Sequence, residues 1–342
     1  MANLTQRRFL SVRVAAPFLT ISLAAFLVPV YLAAQGPAAA KNTTPAPAGK
    51  YVAPRLAEGR PDFTGFWSNN TATPVERPAS FNGREYLTPE EGKAVEKASI
   101  RIDANRKKGT LGDYNAVFLE DGKRVVSTLR TSIITDPKDG RMPPLTPEAK
   151  LKADAAALHK QDHPFDGPED LNPGDRCITG NGAPMLPRGY NNIIHFVQTP
   201  DYVAIAAEMM HDVRVIPIDG RAHGTARSWL GDGVGHYEGE TLVVETTNFN
   251  GKRGWPRLNF GRRTDEKMKV TERFTRTAPD VLLYQFTVDD PGLFTRPYSG
   301  EITMWPSEHP VYEYACHEGN YSMPVTLSGA RTQERAVANR SK

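Results

Sequence analysis

From Tyr190 to Leu327 the chain runs as short β-branched and aromatic stretches, cut about every ten residues by Gly, Asp, Asn or Pro. Asp219-Gly220, Asp232-Gly233, Asn250-Gly251 and Asp290-Pro291-Gly292 supply turns. Strands are expected at Asn192–Gln198, Tyr202–Met209, Val213–Ile218, Ala226–Leu230, Gly235–Tyr237 and Thr241–Thr247. Lys267–Thr277, Val281–Val288, Thr295–Trp305 and Val311–Cys316 complete the series. Ten short strands joined mostly by hairpins suit a curved antiparallel sheet or a β-barrel, both of which manage exposed edges. The fold class is therefore mainly β, with residues 188–328 as the antiparallel domain.

Residues 62–187 read as helical and loop decoration with a few strands. Leu87-Thr88-Pro89-Glu90-Glu91 and Leu145-Thr146-Pro147-Glu148 both open helices, with Thr as N-cap and Pro at the first helical position. Two N-terminal helices are expected, from Thr88 to about Lys107 and from Thr146 to Lys160. Pro61 to Trp67 and Arg124 to Ile134 have strand composition, and Asp162 to Pro187 is a long loop that Cys177 pins. Residues 37–61 form a flexible linker. Residues 329–342 form a polar, disordered tail.

Arg7, Arg8 and Arg13 precede an uncharged run, Val14 to Ala34, so residues 1–36 read as a signal peptide or, uncleaved, as a membrane anchor. Arg7-Arg8-Phe9-Leu10 is an incomplete twin-arginine motif, so export through Sec or Tat to the periplasm or beyond is expected. Those three arginines account for the whole formal charge of +3. The rest is neutral, which gives no electrostatic reason to bind nucleic acid, and any membrane contact runs through the N-terminal segment. In an oxidising compartment Cys177 and Cys316 are expected to pair; a thiolate metal site would show paired cysteine spacings.

The polar residues of the β region gather in two places. Glu208, Asp212 and Arg214 share one face of a strand by period two, with His211 on the other. His211, Asp212, Arg214, Asp219, Arg221 and His223 are six ionisable residues within thirteen positions. His317 and Glu318 follow Cys316. Two uses compete for these groups. His211, Asp212, Arg214, His317 and Glu318 are the candidate acid–base residues of an extracytoplasmic hydrolase or lyase. Glu208, Arg221, His223 and Trp229 are candidates to bind a small ligand; ordinary cross-strand salt bridges and core tryptophans have the same composition. Convergence of His211, Asp212, Arg214, His223 and His317 in one cavity would favour the enzyme, and scattering them over loop tips would remove it. No Gly-x-Ser-x-Gly elbow, Walker loop or His-Glu-x-x-His is present. No cofactor is implied. His195, His211, His223, His236 and His317 match no standard metal spacing, although their number leaves a divalent metal open.

Gly65-Phe66-Trp67 resembles the Gly-x-Trp of the first strand in lipocalin-type barrels, where the Trp closes one end, although helices here separate it from the strand series. Gly239–Phe249 (GETLVVETTNF) and Tyr314–Tyr321 (YACHEGNY), with Gln198–Asp201 and His211–Arg214, resemble a large group of exported bacterial proteins of unknown function. That resemblance implies an exported globular protein and carries no catalytic residues with it. The leading expectation is a barrel-like protein, lipocalin- or calycin-like in architecture, binding a small apolar or amphipathic molecule in a concave site.

Overall fold

Alternation of buried and exposed side chains along short strands builds one curved sheet in the computed structural model, which describes residues 51–105, 122–180, 182–252 and 264–340. These residues belong to one compact unit, Asn42–Lys342. The expected signal segment, most of the linker and Trp255 lie outside the described residues.

Ten strands form the sheet: β1 (Gly65–Ser68), β2 (Ile134–Asp136), β3 (Ile193–Gln198), β4 (Tyr202–Ala207), β5 (Val213–Pro217), β6 (Asp232–Glu238), β7 (Thr241–Thr247), β8 (Lys269–Ala278), β9 (Val281–Asp289) and β10 (Tyr298–Pro306). Their order is β5-β4-β3-β1-β10-β9-β8-β7-β6, with β2 attached to β10. Every ladder is antiparallel. Neighbours therefore alternate in direction, and a path of nine strands leaves its two ends, β5 and β6, pointing the same way. The sheet curls until these ends face each other, nearly closing a barrel, with no ladder between them. Side chains bridge this seam instead. A Cβ at Gly235 would lie 3.0 Å from Ile216 Cγ2 and 3.1 Å from Ile218 Cγ2, so β6 needs glycine where the isoleucines cross beneath it.

The interior is filled. Phe196 of β3, Phe274 of β8, and Tyr284 and Phe286 of β9 are buried and touch in sequence, with centroids 5.3, 5.0 and 5.7 Å apart. Trp67 of β1 is buried too; its indole N–H donates to Phe63 O at 2.9 Å and the Arg276 guanidinium lies over its ring at 5.4 Å. Because β1 sits between β3 and β10, the 62–187 segment is woven into the sheet and is more than decoration.

Both Leu-Thr-Pro-Glu stretches open helices, α1 (Pro89–Asn105) and α2 (Pro147–Asp162). Thr88 and Glu91 exchange both capping-box bonds, at 3.2 and 2.8 Å. Thr146 Oγ1 accepts from Ala149 N at 3.1 Å. In place of the expected disordered tail, Ser322–Arg340 forms α3; none of its residues is buried, so the apolar patterning that marks a core helix is missing.

Arg124–Ile134 is bends and turns that reach a strand only at Ile134, and two strands expected in the series from Asn192 to Cys316 are absent. Ala226–Leu230 carries only one isolated bridge, Ser228 to Phe249, because the Ser228 hydroxyl turns the chain locally. It donates to Gly231 O at 2.9 Å and accepts from Leu230 N at 3.2 Å. Val311–Cys316 joins no ladder; Tyr312 N donates to the Glu208 carboxylate at 3.4 Å and Cys316 is held by the disulfide. Side-chain anchors and a covalent bond fix this segment where β composition alone suggested pairing.

Candidate functional site

β4 and β5 are joined by a single 3-10 turn, Met209–His211, in which Met210 and His211 adopt φ of 60° and 44°. This left-handed kink is rare for non-glycine residues. It rotates the chain so that Glu208 and Asp212 turn inward while His211 faces solvent. The segment 177–180 packs on the turn closely enough that a Cβ at Gly180 would lie 2.7 Å from Met209 Cγ and Met210 Cγ. Asp212 fixes that contact: its Oδ2 accepts from Thr179 Oγ1 at 2.7 Å and Gly180 N at 3.0 Å. Glu208 accepts from Ile193 N and Tyr312 N, at 3.3 and 3.4 Å. Beside them Cys177 and Cys316 form the disulfide, with Cα atoms 5.7 Å apart.

Arg214 points into the barrel. Its Nη1 and Nη2 donate to Glu272 of β8, at 2.5 and 3.1 Å. Glu272 is wholly buried and also accepts from the Tyr284 hydroxyl at 2.8 Å, which in turn accepts from Met185 N at 2.9 Å. Burial opposes the charge on Arg214, but the Glu272 carboxylate outweighs it and holds the guanidinium above its ordinary pKa. Burial, followed by the Glu272 charge, pushes the Tyr284 hydroxyl well above the ordinary tyrosine range.

The remaining candidates stand apart from this network. His211 is exposed, with Nδ1 3.2 Å from Tyr314 O. His317 and Glu318 are exposed. Arg221 is exposed and grips Asp219, whose carboxyl it pulls down to about 2. His223 is half-buried, with Nδ1 3.3 Å from Asp232 Oδ2, and its buried Nε2 has no hydrogen-bond partner among the described residues. The histidines and Arg221 thus do not meet Asp212 and Arg214 in one centre. The two suspected stretches do touch, but through the side chains of His211 and Glu208 on the backbone of Tyr314 and Tyr312, which leaves His317 and Glu318 in solvent. Among the described residues no group of three His, Cys, Asp or Glu side chains is placed to hold a metal.

What the fold does provide is a cleft of about 390 Å³ at the start of the seam, where β5 and β6 begin. Asp212 to Ile216 form one wall, Ser228 to Gly233 the other, and Ile178 adds to the lining. The bonds Ala207 N to Asp212 O and Ile218 N to Asp201 O, both 2.9 Å, bracket β5. Alternation along an antiparallel ladder then turns the backbone groups of Val213 and Val215 away from β4, toward the seam. Both side chains are exposed. Of the residues suspected from the sequence, Asp212, Arg214 and Trp229 line the cleft. Asp232, Glu272 and Tyr284 were missed. Asp232 was hidden in a turn signal, whereas Glu272 had a readable one: it stands between Val270 and Phe274 in the apolar phase of β8. No protein-family model, curated protein or solved structure matches the chain.

Proposed function

We propose that this chain is an exported barrel-like binding protein that holds a small amphipathic molecule in the seam cleft. The observation that carries this reading is the two-sided lining. Val213, Val215, Ile216, Trp229 and Leu230 present apolar surface, while Asp212, Arg214 and Asp232 stand at the same opening. Apolar side chains and convergent polar groups at one opening suit a molecule with both kinds of surface. The lipocalin-like comparison is kept at the level of a small-molecule site in a curved antiparallel sheet. The ligand is displaced from the barrel axis, because aromatic rings fill that space. Export is supported by the Cys177–Cys316 disulfide, which persists in oxidising compartments. It also agrees with the resemblance to exported bacterial proteins. The hydrolase or lyase alternative is not preferred, since His211 and His317 lie on exposed loops and Asp212 is engaged in holding the 177–180 segment.

Native mass spectrometry of the purified chain, followed by extraction, is expected to find one bound small molecule per chain. Val215→Trp, at an exposed position, fills the cleft and is expected to abolish that occupancy without lowering thermal stability. Undiminished occupancy in this variant would place the ligand elsewhere and refute the reading.

A further inference from the structure

One wall of the seam cleft is an unpaired strand edge. Residues of β5 alternate between bonding to β4 and turning away from it, and the bonds Ala207 N to Asp212 O and Ile218 N to Asp201 O set the phase. The N–H and C=O groups of Val213 and Val215 therefore face the cleft, and among the described residues no backbone group pairs with them. Natural sheets protect such an edge with a charged side chain, a proline or a bulge. Here the two edge residues are apolar and β-branched, and their side chains are 50% and 60% exposed. Protection starts further along, at Pro217, which has no N–H to offer, and where Ile216 and Ile218 pack against Gly235. The open edge thus runs from Val213 to Val215, with Arg214 between them turned inward to Glu272.

We infer that the ligand of the seam cleft is a short extended peptide that adds to β5 as an antiparallel strand. This rests on the binding reading above and names the chemical class of the ligand. The peptide residues opposite Val213 and Val215 each donate their N–H to the valine carbonyl and accept the valine N–H on their own carbonyl. A strand rises about 3.3 Å per residue, so roughly three peptide residues cover this edge. Opposite residues of a ladder place their side chains on the same face. The first and third peptide residues therefore lie over the exposed valines and are apolar, while the middle one turns inward beside Arg214 and is small. β5 and β6 point the same way, so a strand antiparallel to one runs antiparallel to the other. An amphiphile without amide groups would cover the valines and strip water from the edge donors and acceptors without replacing it, a costly exchange.

The test titrates the whole protein calorimetrically at neutral pH with the pentapeptide Thr-Val-Ala-Val-Thr, acetylated and amidated, and with the same peptide N-methylated at both valines. Methylation removes the donors that pair with the edge and keeps the apolar side chains. The unmethylated peptide is expected to bind at least tenfold more tightly and to slow hydrogen exchange at the Val213 and Val215 amides at least tenfold. Val215→Pro removes an N–H that the β4 ladder does not use and is expected to weaken that peptide at least tenfold. Equal affinity of the methylated peptide would overturn the strand pairing and leave the cleft as a small-molecule site. Unprotected Val213 and Val215 amides in the peptide-saturated protein would overturn it as well. If neither peptide binds while native mass spectrometry finds another small molecule that Val215→Trp displaces, the peptide assignment falls and the binding reading stands. If nothing binds, both fall. The methylation comparison on the unaltered protein decides the question even if Val215→Pro does not fold.

Discussion

Glu272 offers the sharpest test of the interior. It is fully buried, held by Arg214 through two bonds and by the Tyr284 hydroxyl through a third. Glu272→Leu strips Arg214 of the carboxylate that pairs with it inside the barrel, and removing one member of a buried pair costs about 3–5 kcal/mol. Arg214→Met leaves the carboxylate uncompensated and is expected to cost a similar amount. In the double variant no charge is stranded. What is lost is the acceptor of the Tyr284 hydroxyl, about 1–3 kcal/mol for a buried donor. The double variant is therefore expected to be more stable than either single one, with a coupling of at least about 3 kcal/mol in a double-mutant cycle. Urea unfolding of the four proteins, followed by far-UV circular dichroism and analysed with a shared m value, measures it. If the double variant loses the sum of the two single losses, the three groups do not act as a unit and the account of the buried network is wrong.

Three other expectations follow from single features. Asp290 is buried beside Asp265, and desolvation first of all raises its carboxyl from 3.8 to about 6. The stability it contributes is present below about pH 4 and lost as pH rises through 6, at most about 3 kcal/mol. Asp290→Asn is thus expected to flatten the pH profile of urea midpoints across that window and to gain stability at pH 8; an unchanged profile would contradict it. Replacing both Cys177 and Cys316 by serine opens a crosslink of sequence separation 139 and is expected to cost about 5 kcal/mol on loop entropy alone, read by thermal melting against the oxidised protein. Gly235→Ala forces a methyl group against Ile216 and Ile218 and is expected to destabilise by about 1–3 kcal/mol. Ile218→Ala removes one of the two crowding Cγ2 methyls, so it is expected to cost less in the Gly235→Ala background than in the parent, and equal cost in both would mean that the crowding lies elsewhere.

The mainly β architecture was legible because local chemistry agrees with the global fold along most of the chain. Thr241–Thr247 matches its expected bounds at both ends, since a two-residue turn and an apolar run define it without tertiary help. The cysteine pairing was legible from the expected compartment and the count of two. Other features are set by contacts that no local pattern carries. Ala226–Leu230 looks like a strand, but the Ser228 hydroxyl and the Arg227 guanidinium tie it to loop carbonyls. Val311–Cys316 looks like another, yet the turn at Glu208 takes its backbone donor. The site was half visible: Asp212, Arg214 and Trp229 were marked by composition, but the partner of Arg214 lies 58 residues away on β8. His317 and Glu318 drew attention as neighbours of a cysteine, and proximity along the chain did not become proximity in space.

The direction of β5 and β6 has a consequence for the chain that joins them. Antiparallel neighbours can be linked by two residues, but strands pointing the same way need a return path of a dozen or more. Residues 218–231 are that path, running from the end of β5 back to the start of β6. The return delivers Ser228, Trp229, Leu230 and Gly231 to the mouth of the unpaired junction. Strand parity thus sends the chain back to flank the junction, so the far wall of the cleft has a topological origin. Shortening 218–231 below that length is expected to disrupt the β5–β6 junction itself, whereas substitutions along it should alter only what the cleft admits.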